Sequence, residues 1–231
     1  MMKIAILGGT GDFGKGLALR WVRYHDIFIG SRDEERAKAF AKEYNRVAKR
    51  HYQNEMKGYI TGNDNFQAAK VSSIVVFSVP YHHLRKFTQS IKPIITSDKI
   101  IVSPIVPIDK NGEYFNYSPY IMNDILNSPK YASAAEVISF ELKSKRIVAA
   151  FHTIPAKKLC KLNLDLDYDV IMTGDDVKAI KRISELISQI PNLRPIYAGP
   201  LKTSKLLESI TPMLLNVRLY NKMGELSVKI V

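Results

Sequence analysis

The chain opens with KIAILGGTGDFGKG, Lys3 to Gly16, in which a short apolar run feeds a glycine cluster with Gly9, Gly11 and Gly14 in GxGxxG spacing. A strand that enters such a turn and leaves it as a helix begins a nucleotide-binding βαβ unit. The first glycine permits the tight turn, the second lets backbone amides approach a diphosphate, and the third lets helix and strand pack closely. The helix start adds free N–H groups and a positive dipole end for the phosphates.

The rest of the chain repeats the alternation that such a unit needs. Strand-like runs recur at Lys3–Leu7, Asp26–Gly30, Gly58–Thr61, Ser73–Val79, Lys99–Ser103 and Arg146–Phe151, separated by polar or helix-periodic segments. That pattern builds a parallel sheet with helices on both faces. From Asp33 onward, Ala37, Phe40, Ala41, Tyr44, Val47 and Ala48 form one helical apolar stripe, with Ser31 and Glu34 in capping-box spacing at its start. After His152 come a lysine-rich connection and two more strand-like runs, Asp169–Thr173 and Arg194–Ala198, around a helix from Val177 to Ile190. The last periodic segment, Leu201 to Met223, contains Pro212, which predicts a kink or a restart of the helix, and is followed by Gly224, which predicts a left-handed cap. The fold class is therefore α/β: a Rossmann-type doubly wound parallel sheet over residues 1–155, followed by a small C-terminal α/β domain over 156–231.

The second strand ends at Ser31-Arg32, where an NAD-specific fold places a carboxylate for the ribose hydroxyls. A serine hydroxyl, a helix start and the guanidinium groups of Arg32 and Arg36 suit a 2′-phosphate instead, so the chain reads as binding NADP. In an open parallel sheet the ligand lies beyond the carboxyl ends of the strands, which brings Ser78-Val79-Pro80, Ser103–Pro107 and His152–Ala156 to the cofactor. No nucleophile, base and orienter are spaced as a trio, and the five histidines lack metal-ligand spacing, so neither a catalytic residue nor a metal is assigned. His152, at a strand end, is either structural or a substrate contact, and His83 is placed to reach the cofactor.

A formal charge of +12, from 34 Lys and Arg against 22 Asp and Glu, favours an anionic partner. Without a nucleic-acid motif, phosphorylated cofactors account for it better than DNA or RNA, and the basic stretch Arg46–Lys57 reads as a solvated helix end. No apolar run is long enough to cross a membrane and no targeting pattern is visible, which points to the cytoplasm. The single Cys160 cannot form an internal disulfide and reads as a packing residue.

The strings GGTGDFGKGLALR, GSRDEERA, SVPYHH, IVSPIVP, SAAEV, FHTIPA, AGPL, ESITPMLLN and MGEL, in this order, resemble the F420-dependent NADP oxidoreductases from end to end. The resemblance implies a dimer and reversible hydride transfer between NADP(H) and the deazaflavin coenzyme F420. It puts the phosphate loop on Gly9, Thr10, Gly11, Asp12 and Phe13, the 2′-phosphate site on Ser31, Arg32 and Arg36, and further cofactor contacts on Tyr81, Val106 and Ala156. Deazaflavin contacts fall on Ser133, Ile154, Pro155 and Leu207. Asp12-Phe13, Tyr81 and Arg36 stand where the family usually has Asn-Leu, Trp and Lys. Two stretches look longer than the family pattern, Arg50–Met56 and the tyrosine-rich Tyr114–Tyr131, and both are expected to alter access to the site. Reduction of another acceptor (an imine, ferric ion or flavin) and a non-catalytic NADP-sensing role stay open as alternatives.

Overall fold

A computed structural model describes residues 1–119 and 132–231. Ten strands are present among them: β1 (Lys3–Leu7), β2 (Asp26–Ser31), β3 (Ile60–Asp64), β4 (Ile74–Phe77), β5 (Ile100–Ser103), β6 (Ile108–Asn111), β7 (Tyr114–Tyr117), β8 (Ile147–Ala150), β9 (Tyr168–Gly174) and β10 (Leu193–Tyr197). The helices are α1 (Asp12–Trp21), α2 (Glu34–Tyr52), α3 (Asn65–Val71), α4 (Leu84–Ile91), α5 (Ala134–Leu142), α6 (Ala156–Leu159), α7 (Val177–Ser188) and α8 (Ser204–Tyr220). None of them is long and apolar enough to cross a membrane.

Eight strands form one sheet in the order β10-β9-β8-β5-β4-β1-β2-β3, and β6 and β7 make a separate antiparallel hairpin. From β3 to β8 the pairing is parallel throughout, with the strand order reversing between β1 and β4. That reversal opens the crevice in which such sheets hold ligands. The expected C-terminal α/β unit is β9-α7-β10, and it lengthens the same sheet: β9 pairs antiparallel with β8 and parallel with β10.

Side chains alternate across the strands, as the period of two requires. In β1, Ile4 and Ile6 enter a core with Leu17 of α1, Tyr44 of α2 and Ile183 of α7, while Ala5 and Leu7 enter a second core with Ala68 of α3, Leu84 of α4 and Ile138 of α5. Trp21, nearly fully buried, donates its indole N–H to Leu186 O at 3.1 Å and so ties α1 to α7.

Two local expectations are corrected. The cap of α2 is Asp33, whose carboxylate accepts from Arg36 N at 3.0 Å, while the Ser31 hydroxyl accepts from Asp33 N. The Ser31–Glu34 pair therefore makes no capping box. Pro212 sits inside a single continuous α8, which stops at Tyr220 with Asn221 as its C-cap. The left-handed residue is Lys222 (φ 51°), and Met223 N returns to Arg218 O at 3.1 Å, so the turn closes before Gly224.

Candidate active site

The glycine turn is fixed by close approaches of backbone to backbone. Gly8 has φ 73°, and a Cβ there would lie 2.4 Å from Ser78 O; a Cβ on Gly14 would lie 2.5 Å from Gly9 Cα. The left-handed residue of the turn is thus Gly8, one position before the Gly9 expected, and Gly8 N and Gly9 N both donate to Gly30 O. Gly11 differs from these, because a Cβ there meets nothing within 4 Å. It is the N-cap of α1, and no side chain caps that end. Space in front of an uncapped helix N-terminus is what a diphosphate requires. Thr10 and Phe13 flank this space half-buried, and Gly11 and Asp12 face solvent. Phe13 packs edge-on against Phe151 with centroids 6.2 Å apart, and the Cys160 thiol donates to Asp12 O at 2.9 Å.

At the end of β2, Ser31 is buried while Arg32 and Arg36 are exposed. Arg36 lies over the Phe40 ring at 5.6 Å, and neither arginine has a carboxylate partner among the described residues. The start of α2 is not a free anion site like that of α1: Asp33 already caps it, and Glu34 and Glu35 occupy its first turn. An anion here depends on the guanidinium groups.

A cleft of about 590 Å³ lies across the carboxyl ends of the strands, lined by Phe13 after β1, Phe77–His82 after β4, Pro104–Val106 and Ile108 after β5, Phe151, His152 and Ile154 after β8, and Thr211 of α8. The size is that of a small-molecule site. It gathers Phe13, Tyr81, Val106 and Ile154 of the expected residues. Pro155 and Ala156 line a smaller adjoining cavity of about 200 Å³, which shares His152, Ile154 and Thr211 with the larger one. Pro107 is buried and outside either lining.

His152 is 7% exposed, and neither ring nitrogen has a hydrogen-bond partner. Burial pushes its pKa down to about 3, so the ring is neutral and offers one donor and one acceptor to whatever enters. Its backbone O accepts from the Thr211 hydroxyl at 2.9 Å, which joins α8 to the loop after β8. Phe151 just before it has φ 71°, an uncommon conformation for an aromatic residue.

Ser133 and Leu207 lie beneath this surface. Ser133 caps α5 by accepting from Glu136 N at 3.1 Å and shares a 2.6 Å hydrogen bond with the Ser204 hydroxyl; both Ser133 and Leu207 are buried, and neither lines the cleft or the cavity. Beside them Glu208, with no exposed surface, accepts from Ala134 N, Ala135 N and the Tyr117 hydroxyl. Burial pushes its pKa up to about 8, against the pull of those three donors.

With this geometry fixed, likeness to known proteins becomes informative. A family model described as NADP oxidoreductase, coenzyme F420-dependent, matches residues 3–107. The F420-dependent NADP reductase of Methanocaldococcus jannaschii is 34% identical over 234 aligned positions that take in 99% of this chain and 98% of that protein. The chain belongs to the F420-dependent NADP oxidoreductase family. A second F420-dependent NADP reductase, from Methanothermobacter marburgensis, is 32% identical across 99% of this chain and 98% of its own length. In fold, the chain resembles the crystal structure of a putative F420-dependent NADP reductase from Arthrobacter sp. FB24, with a TM-score of 0.74 at 20% identity and full coverage of both chains.

Two features of this F420-dependent NADP oxidoreductase family chain escaped sequence reasoning. Thr211 was hidden in the apolar stripe of α8, where only its position one residue before Pro212 marked it. In the β6-β7 hairpin, β7 fell at the start of the stretch that looked longer than the family pattern, and β6 just before it was not read as a strand. The hairpin brings Ile108, Asp109 and Ser118 to the cleft, and Asn216 of α8 holds it by accepting from Phe115 N (2.7 Å) and donating to Phe115 O (2.8 Å). Beyond Pro119, the tyrosine-rich stretch lies outside the described residues. The other longer stretch, Arg50–Met56, is the end of α2 and a 3-10 turn; it leads to Lys57 and Gly58, whose N–H groups bond to Arg23 O and Val22 O before β2. It therefore borders the amino-terminal ends of the strands and not the cleft, which removes it from the question of access.

Proposed function

We propose that this chain transfers a hydride reversibly between NADP(H) and coenzyme F420. The observation that carries the reading is the placement of two chemically distinct regions at the strand ends: an uncapped helix N-terminus behind a glycine turn, and a cleft where Phe13, Val106, Phe151 and Ile154 supply apolar surface and no lining residue forms an ion pair with another. The two coenzymes supply the redox chemistry when bound. The protein has to bind, orient and exclude water.

In this reading Gly9, Thr10, Gly11, Asp12 and Phe13 hold the diphosphate, and Ser31, Arg32 and Arg36 hold the 2′-phosphate. Tyr81, Val106 and Ala156 position the nicotinamide end. Ile154 and Pro155 form the wall against which the deazaflavin lies, over a floor that Ser133 and Leu207 keep rigid from below. Direct transfer needs reacting atoms about 3–3.5 Å apart in a site that excludes water, and apolar walls carried on proline-bearing strand ends suit that. His152, neutral and unpartnered, gives a polar edge of a ring one donor and one acceptor without adding charge.

A homodimer and a cytoplasmic location belong to the same proposal. The exposed Leu206, Met213, Val217 and Tyr220, which share one side of α8, support a face that a second copy covers.

The test is to mix the purified chain with NADP+ and reduced F420 and follow the deazaflavin absorbance. Turnover with NADP+ and far less with NAD+ is expected. Binding of NADP+ without oxidation of reduced F420 would overturn the reading and favour another acceptor or a sensing role.

A further inference from the structure

We propose that His83 is part of the 2′-phosphate site and takes up a proton when NADP binds, so that the site completes its positive charge only around a phosphomonoester. This rests on the NADP reading above and deepens it.

The placement follows from the sheet. β1 lies between β2 and β4, with Leu7 in register with Gly30 on one side and Phe77 on the other. The segments leaving β2 and β4 therefore flank the glycine turn. The first carries Arg32. The second runs through Pro80 into a 3-10 turn, Tyr81–His83, and then α4. His82 and His83 pack against each other with ring centroids 4.0 Å apart; His82 lines the cleft, and both are exposed.

The charged and titratable groups facing His83 are His82 on its own turn, Arg32 across the glycine turn and Lys86 on α4. Partial desolvation, then His82, Arg32 and Lys86, hold its pKa below the ordinary histidine value. Among the described residues no carboxylate faces it to offset them. Neither Arg32 nor Lys86 forms an ion pair among the described residues, although this chain pairs Lys15, Lys38 and Arg85 with glutamates nearby. Arg32 and Lys86, on the segments that leave two strands flanking β1, add to the desolvation and to His82 in holding the His83 pKa down, and together these groups form a half-charged anion site.

The chemistry of the ligand completes it. A phosphate monoester has a second pKa near 6 and is largely dianionic above pH 7. Set beside His83, it reverses the sign of the local field, raises the imidazole pKa and draws a proton from solvent. NAD+, with a 2′-hydroxyl, has no charge with which to do this.

The experiment is calorimetric titration of the full chain with NADP+ and with NAD+ at pH 7.5, in phosphate-free buffers of different ionisation enthalpy, so that the change in heat counts protons. His83→Asn is expected to lower the uptake on NADP+ binding by about half a proton or more per site, since a histidine below its usual pKa is mostly neutral at that pH. It should also weaken NADP+ several-fold at pH 6.5, less at pH 8.5, and leave NAD+ unchanged. His83→Lys is the discriminating variant: a fixed charge should keep the preference for NADP+ while removing the uptake, which a merely structural role for His83 would not produce. In the wild-type chain, the apparent pKa of the His83 ring by NMR should rise with NADP+ and not with NAD+. Undiminished uptake in His83→Asn, or a His83 titration indifferent to NADP+, would overturn this inference while leaving the NADP and F420 reading intact. A wild-type chain that binds no NADP+ would sink both.

Discussion

Around the glycine turn the protein offers bare backbone and unpaired cations, whereas at the far end of the groove it offers apolar walls whose supporting polar groups are already bound to one another. The turn is held by backbone contacts of Gly8, Gly9 and Gly14, yet leaves Gly11 open and α1 uncapped. Outside the cleft's lining, Ser133 is hydrogen-bonded to Ser204, and Glu208 accepts from the Tyr117 hydroxyl and from Ala134 N and Ala135 N. The first region can bind charge because its own groups are unsatisfied. The second is satisfied below its surface and presents at that surface the neutral, unpartnered ring of His152. Hydride transfer needs both, since a dinucleotide is held by its phosphates and reacts at its ring.

The contrast is most sharply broken within the turn itself. Gly14→Ala places a Cβ within 2.8 Å of the Cα, C and O of Gly9; overpacking of that kind costs about 3 kcal/mol, which lowers the melting temperature by roughly 6–12 °C in a domain of this size. Gly11→Ala meets nothing in the protein and should melt like wild type while weakening NADP+ by about tenfold or more, since the methyl group enters the space the phosphates need. If both variants melted normally, the division of roles among the glycines would be lost.

Replacing Arg32 and Arg36 together by Gln tests the charged end without touching the apolar one. Loss of desolvated, charge-assisted hydrogen bonds should reduce kcat/KM with NADP+ by roughly 10- to 100-fold, or about 1.4–2.8 kcal/mol, with little change for NAD+. An equal loss with both nucleotides would assign the two arginines to general electrostatics.

Two buried groups, His152 in the cleft's lining and Glu208 outside it, give the protein a pH signature. His152 is neutral in the folded state down to about pH 3, whereas an unfolded histidine protonates below about 6.5, so its contribution is present above 6.5 and is lost as pH falls toward 3. Glu208 holds its proton up to about pH 8, whereas an unfolded glutamate releases it near 4.5, so its contribution is present below 4.5 and is lost as pH rises toward 8. Between 4.5 and 6.5 the two slopes oppose and cancel. Outside that window each should remove about 2 kcal/mol over its flank. Denaturant unfolding across pH should show the alkaline flank vanish in Glu208→Gln and the acid flank shrink in His152→Leu; flanks that persist would mean other groups set them.

How much of this was legible depends on how local the cause was. The glycine turn, the eight strands of the large sheet and the strand-end loops were readable because period-two burial, GxGxxG and proline leave a trace within a few residues. The cap of α2 was misplaced by two residues, because Ser31 and Asp33 are both good cap formers and only the backbone path chooses between them. The left-handed turn fell one residue early, at Gly8, where three glycines within four positions gave the spacing no means to decide. Thr211, Asn216 and Glu208 were invisible because their partners lie 59, 101 and 74 residues away, and no pattern along one helix reports on a distant loop. Sequence likewise could not show that Ser133 is already committed to Ser204, 71 residues on.

The smallest expected effect concerns the hairpin, which joins the two regions. Asn216 imitates a strand neighbour by bonding both backbone groups of Phe115, and the hairpin it holds carries Asp109 and Ser118 into the cleft. Asn216→Ala removes two hydrogen bonds at a partly exposed position where water can replace them, so the stability cost is about 1 kcal/mol. Because β6 and β7 pair only with each other, a loosened hairpin shifts as a unit while the sheet and the glycine turn stay in place. The expected result in steady-state kinetics is a few-fold rise in KM for F420 with KM for NADP+ unchanged. Equal movement of both would place the hairpin over the nucleotide end and redraw the boundary between the charged and apolar regions.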